Sequence, residues 1–221
     1  MQPRPWVRLP SSWINRGDLD LLKWGPDGKG SNNTAALMAL TVIAQAADDK
    51  TGAARLTYDQ LCAATGLSRA KLSKGLDVLE RMEVVSRNHD GRSNYKLVNY
   101  DPLAHWAKLP AKSMYSAGRI IAFDDFRLRR RVELDALKLY FLFVARRGKD
   151  TNMANIGYDK IQAYTGIERG RIKTATSYLA SLSLIYVEQV PFKEDGYIAN
   201  AYRIVGVDPY KHMGTTGRSG R

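Results

Sequence analysis

Residues 100 positions apart match along most of this 221-residue chain. Trp6-Val7-Arg8-Leu9-Pro10 returns as Trp106-Ala107-Lys108-Leu109-Pro110. Ala36-Leu37 returns as Ala136-Leu137, and Thr51 and Ala54 return as Thr151 and Ala154. The longest match runs from Leu56 to Leu72 and returns from Ile156 to Ile172. Within it Tyr58-Asp59, Thr65-Gly66 and Arg69 are identical to Tyr158-Asp159, Thr165-Gly166 and Arg169. Apolar positions exchange Leu for Ile, and Lys71 becomes Arg171. Solenoid repeats have shorter periods, about 20–50 residues. A period of 100 is a domain length, so the chain is constrained to two copies of one small fold. The sequence divides into a first domain at 1–102 with an N-terminal arm, a second at 103–210, and a basic tail at 211–221 that reads as disordered.

A hydrophobic fraction of 44% with 25% charged residues is that of a soluble globular chain, and each copy is long enough to bury a core. No apolar run approaches the ~18 residues of a membrane span, so no membrane partner is expected. The first residues lack the apolar stretch of a signal peptide. The single cysteine, Cys62, excludes an intramolecular disulfide and a cysteine zinc site, and a reducing cytoplasm is expected. The net charge of +12 favours a polyanionic partner. The charge is uneven: residues 1–105 carry 14 Lys and Arg against 11 Asp and Glu, residues 106–221 carry 20 against 11.

Within the first copy, Asn33–Ala47 reads as an apolar helix, ended near Gly52. Thr57 is a good N-cap for a short helix, Tyr58–Ala64. Thr65-Gly66-Leu67 forms a tight turn where glycine adopts the required backbone geometry at little cost. Ser68 caps a longer helix reaching about Met82, with Leu72, Leu76, Leu79 and Met82 as its buried stripe. Val84–Ser86 and Ser93–Tyr100 read as paired strands around a polar tip, Asn88–Arg92, with Asp90-Gly91 as the turn signal. The second copy repeats this order with helices at about Glu133–Arg147, Tyr158–Tyr164 and Arg169–Leu182, and strands at Leu184–Val190 and Ala201–Val205. By Tyr202 the offset from Tyr95 has grown to 107, so the second hairpin holds an insert around Pro191–Tyr197. Helix, short helix, turn, long helix and hairpin is the order of a winged helix. The expected fold is therefore mainly α with small β-wings, an α+β chain of two tandem winged-helix (helix-turn-helix) domains. The short link near Asp101-Pro102 predicts that they pack at a fixed angle.

The run Thr57-Tyr58-Asp59 through Thr65-Gly66-Leu67-Ser68-Arg69, with Trp6-Val7-x-Leu9-Pro10 upstream, resembles the helix-turn-helix domains of bacterial plasmids, phages and integrative elements. The two-copy layout is similar to plasmid replication initiators built from tandem winged helices. The resemblance covers nearly the whole chain. It implies a sequence-specific double-stranded DNA-binding protein of a mobile element, associated with the nucleoid or a plasmid. It fits replication initiation, by binding origin repeats and recruiting host replication proteins. It also fits transcriptional regulation at a promoter operator, with host transcription proteins as partners. A protein-interaction adaptor is a third reading. A homodimer is compatible with each.

A recognition helix enters the major groove by its N-terminal part. The outward positions there are Arg69, Ala70, Lys71, Ser73 and Lys74 in the first copy, and Arg169, Gly170, Arg171, Lys173, Thr174 and Ser177 in the second. Arg and Lys donate to guanine edges, Ser and Thr to bases or phosphates. The small Ala70 and Gly170 allow close backbone approach. Arg69 and Arg169 read either as phosphate or guanine contacts or as ion pairs with Asp59 and Asp159. Arg87 and Arg92 of the first hairpin read as backbone or minor-groove contacts, or as a solvated tip. Arg129, Arg130 and Arg131, in the densest basic run, read as phosphate contacts or as a solvated face neutralised by Asp124-Asp125. Trp6 and Trp106 read as packing an N-terminal arm onto each copy, with base stacking as the alternative. Tyr140, Phe141 and Phe143 read as core or a dimer face, and Cys62 as a small core residue.

No Gly-x-x-x-x-Gly-Lys-Ser/Thr loop is present for ATP. His89, His105 and His212 have no metal spacing. The adjacent acids Asp48-Asp49, Asp124-Asp125 and Glu194-Asp195 fall in loops. The sequence reads as non-enzymatic, with no cofactor or metal.

Overall fold

The computed structural model describes residues 4–88, 94–148, 150–191 and 198–207. Arg92 and the first hairpin tip, most of the second hairpin's insert, and the tail at 211–221 lie outside the described residues. The fold is mixed α+β with small sheets. The first half runs β1 (Trp6–Pro10), α1 (Ser12–Arg16), α2 (Lys29–Ala46), β2 (Ala53–Arg55), α3 (Tyr58–Thr65), α4 (Arg69–Arg81), β3 (Val85–Arg87) and β4 (Asn94–Leu97). The second half runs β5 (Trp106–Pro110), β6 (Tyr115–Ser116), β7 (Arg119–Ile120), α5 (Arg131–Arg146), β8 (Met153–Asn155), α6 (Tyr158–Thr165), α7 (Arg169–Ser181), β9 (Ile185–Pro191) and β10 (Ile198–Ile204). One-turn 3-10 helices lie at Asp18–Leu21, Lys112–Met114 and Ile121–Phe123.

Local chemistry sets the helix starts. Thr57 and Gln60 form a reciprocal capping box: the Thr57 hydroxyl accepts from the Gln60 N–H (3.1 Å), and the Thr57 N–H donates to Gln60 Oε1 (2.8 Å). The Ser68 hydroxyl accepts from the Lys71 N–H at 3.3 Å. Gly157 and Glu168, at the equivalent positions, give no side-chain cap. Gly66 and Gly166 end α3 and α6 in the left-handed conformation, φ 72° and 64°. Helix α2 begins a turn earlier than its composition suggests. In that added turn the Trp24 ring packs where a Gly30 side chain would stand. Each hairpin gains a third antiparallel strand, in the orders β2-β4-β3 and β8-β10-β9. At three residues each, β2 and β8 are too short to show strand periodicity in the sequence.

The two tryptophan strands pair with each other. β1 and β5 are antiparallel, with Trp6 opposite Pro110, Arg8 opposite Lys108 and Pro10 opposite Trp106. Because equivalent residues are 100 apart, Arg8 faces its own counterpart, and each flanking pair is the mirror of the other. That is an isologous contact within one chain, and it puts an internal two-fold axis through the Arg8–Lys108 pair. Val7, Leu9, Ala107 and Leu109 are buried beneath this ribbon. Above it the Trp6 and Trp106 rings stack with centroids 5.9 Å apart, and Arg8 lies 5.0 Å from the Trp106 ring centre. This corrects the expectation that each tryptophan strand packs its own arm onto its own copy.

One buried core runs through both halves. Helices α2 and α5 pack together at its centre, with α4 on α2 and α7 on α5. Tyr140, Phe141 and Phe143 are at most 1% exposed and belong to this core, with Phe143 stacked on Tyr202 at 4.0 Å.

The segments after the ribbon cross over. The 3-10 turn at Asp18–Leu21 packs against α6 of the other half, and β7 packs against α3. The returning chain is held between α2 and α5: Lys138 Nζ donates to the Leu22 carbonyl (2.9 Å), and Asn33 Nδ2 to the Lys23 carbonyl (2.8 Å).

Candidate nucleic-acid interface

Helices α4 and α7 hold most of the sequence-selected residues, towards their N-terminal ends. Arg69, Ala70 and Lys74 are exposed on α4, and Arg169, Gly170, Lys173, Thr174 and Ser177 on α7; Ser73 is half-buried. Their opposite faces carry Leu72, Leu76, Leu79, Ile172, Ala175 and Leu179 into the core. A Cβ on Gly170 would meet nothing within 4 Å, so no intramolecular contact demands glycine there.

The cations in this region fall into two groups. Lys71 is tied down: its Nζ donates to Ser31 Oγ and Asn32 Oδ1, both at 2.9 Å. Arg171, its counterpart, donates from Nε to Asp135 Oδ2 at 3.0 Å and pairs with Glu168 at 2.6 Å. Burial works against the Arg171 charge, but the hydrogen bonds to Glu168 and Asp135 outweigh it and raise its pKa. These two side chains lock α4 and α7 to the N-terminal ends of α2 and α5. Arg87 is likewise tied, 2.8 Å from Asp77 and also bonded to Glu80, joining β3 to α4. Burial opposes its charge, and the two carboxylates raise its pKa regardless. Arg130 reaches Glu133, which is fully buried, and the Tyr178 hydroxyl at 3.0 Å; the bond to Glu133 raises its pKa.

The second group stays at the surface. Arg69 pairs with Asp59 at 2.6 Å and Arg169 pairs with Asp159, all four well exposed. The ion-pair alternative for these arginines is thus the one formed in the free protein. Exposed pairs contribute only about 0–1 kcal/mol, so a stronger anion can displace the carboxylate. Lys74, Lys173, Arg129 and Arg131 are exposed and form no ion pair among the described residues. Asp124, suggested as a neutraliser of the basic run, instead pairs with Arg119 at 2.6 Å.

Two exposed cations on the first sheet escaped the sequence reading, Arg55 on β2 and Lys96 on β4. Lys96 alternates with buried Tyr95 and Leu97, a period-2 signal that marks it as outward. Lys23 and Arg119, on the crossed arms, were also missed, because the arms fall outside the matched stretches of the repeat.

Helix α2 holds different partners at its two ends. The first turn of α4 is tied to the first turn of α2, whereas the ribbon is tied to the far end of α2. There Gln45 Nε2 donates to the Pro110 carbonyl (2.7 Å), Arg4 Nη2 donates to the Ala47 carbonyl (2.7 Å), and Arg8 pairs with Asp49 (2.9 Å). Burial opposes the Asp49 charge, yet Arg8 and Arg4 hold its carboxyl below the ordinary value. At 1.5 Å per helical residue the two ends lie about 20 Å apart.

Half-buried Cys62 has its thiol pKa raised by burial, which keeps it protonated near neutrality. Among the described residues no three His, Cys, Asp or Glu side chains converge on a metal position, and no helix is long and apolar enough to cross a membrane. No protein-family model and no curated protein matches this chain.

Proposed function

We propose that the chain is a tandem winged-helix DNA-binding protein in which α4 and α7 are the two recognition helices. The observation that carries this reading is the isologous β1–β5 ribbon. It pairs equivalent strands of the two copies about a local two-fold, and on this reading the same two-fold relates the N-termini of α4 and α7, as in a symmetric dimer of single domains on duplex DNA. Such an arrangement fits an inverted repeat with half-sites about one helical turn apart. The half-sites are related but not identical, because Ser73 and Lys74 stand where the second copy has Lys173 and Thr174. The net charge of +12 supports phosphate contact.

The role on DNA follows from the sequence resemblance: initiation of replication at repeated origin sites, with promoter regulation as the second reading. No catalytic role is proposed. The test is selection of bound fragments from host and element DNA at near-physiological salt. Iterated sites beside an AT-rich segment are expected, each an imperfect inverted repeat. A single operator over a promoter replaces initiation with regulation. No enrichment over random duplex overturns the DNA-binding reading and leaves the adaptor role.

A further inference from the structure

The crossed arms bring a cation of each half to the helix-helix turn of the other. Arg119, on β7, places Nη2 3.4 Å from where a Cβ would stand on Gly66, the turn that precedes α4. At Gly166, the turn that precedes α7, the Asp20 carboxylate of the first arm stands nearest, and Lys23 Nζ, paired with it, lies 3.0 Å from the same point. Arg119 is 54% exposed and Lys23 53%. The repeat does not explain this coincidence: the residue 100 positions after Lys23 is Phe123. Two arms of different sequence and structure reach the same place, one with the Arg119 guanidinium foremost and the other with Lys23 beside its paired Asp20.

That place matters on the reading above. Gly66 lies three residues before Arg69, and Gly166 three before Arg169. A helix entering the major groove by its N-terminus brings the preceding turn beside the phosphates that border the groove. We propose that each DNA half-site is contacted by both halves of the chain. Arg119 binds a phosphate flanking the groove read by α4, and Lys23 binds one flanking the groove read by α7. Each cation is oriented by an acid of its own arm, Asp124 for Arg119 and Asp20 for Lys23, both partly exposed. Such pairs are weak, and a phosphate makes the stronger partner, above all for a guanidinium. A competing role is electrostatic support of the C-terminal ends of α3 and α6, where cations are favourable. That role predicts loss of stability without loss of any particular phosphate contact.

This inference rests on the DNA-binding reading, and the experiment separates the two. Phosphate-ethylation interference is measured on a selected duplex with the full chain. Lys74→Ala identifies the half-site under α4, and Lys173→Ala the one under α7. Arg119→Gln is expected to lose a phosphate contact in the half-site marked by Lys74, and Lys23→Gln in the one marked by Lys173. Each is expected to reduce the salt slope by about one, while thermal unfolding is unchanged. Arg119→Lys, which keeps the charge, retains the contact. An unchanged interference pattern, or loss in the half-site of the residue's own half, overturns the composite site alone. No footprint from the unaltered chain on any duplex overturns DNA binding itself.

Discussion

Lys138 stands on α5 where the first copy has Met38, and it is 3% exposed. Its ammonium donates to the Leu22 carbonyl of the crossing arm, with Asp135 and Asp20 nearby as favourable charges and Lys23 and Arg171 as unfavourable ones. Burial dominates and lowers its pKa from 10.5 to about 8. The sign follows from linkage. Between those two values the unfolded chain holds the proton and the folded chain has lost it, so unfolding free energy rises with pH. At neutral pH the buried charge costs about 3 kcal/mol relative to high pH. Lys138→Met is expected to flatten the rise from pH 7.5 to 9.5 in chemical denaturation. The difference between the two proteins isolates the contribution of Lys138. Equal slopes would show that the ammonium is not the group responsible.

At the scale of elements, Gly75 sets how close α4 comes to α2. A Cβ there would stand 2.9 Å from the Ala35 carbonyl carbon and the Ala36 nitrogen, both backbone atoms that cannot swing aside. On an exposed helix, Gly→Ala stabilises by about 1 kcal/mol. Here the clash reverses the sign, and Gly75→Ala is expected to cost about 1–3 kcal/mol, read from the urea midpoint. A rise in stability would mean that α2 and α4 separate freely. In the sequence Gly75 looks like a helix defect. Leu72, Leu76 and Leu79 were legible as its buried stripe because their spacing is periodic, and Thr57, Gly66 and Ser68 because caps and turns are local chemistry. The outward faces of α4 and α7 were legible for the same reason, which correctly exposed Lys74 and Lys173. Lys71 and Arg171 were misjudged as free. Ser31, Asn32 and Asp135 sit on helices whose position no local pattern reveals, and only Glu168, three residues before Arg171, is a local partner. The crossed arms were wholly illegible, since their short elements depend on the other half for a surface to pack against.

The whole molecule poses a different question: whether two copies of one fold behave as two units. The internal repeat suggests that they can, and the core argues that they do not. Buried residues form one continuous cluster from Val7 to Val207, the ribbon takes one strand from each half, and each arm covers the other half's helix pair. Opening either half exposes apolar surface of both, so the chain is expected to unfold in a single transition. Leu109 tests this, being fully buried under the ribbon and adjacent to the two-fold. Leu109→Ala is expected to cost about 2–5 kcal/mol. It should lower amide protection in α3–α4 and α6–α7 together, although Leu109 belongs to one copy alone. Loss confined to α6–α7, or two separate transitions in hydrogen exchange, would return the molecule to two independent domains. The consequence reaches the proposed DNA-binding role. A shared core fixes the distance between α4 and α7, so the variant should relax the preferred half-site spacing in a selected library before it abolishes binding. Independent domains on a flexible link would tolerate many spacings from the start.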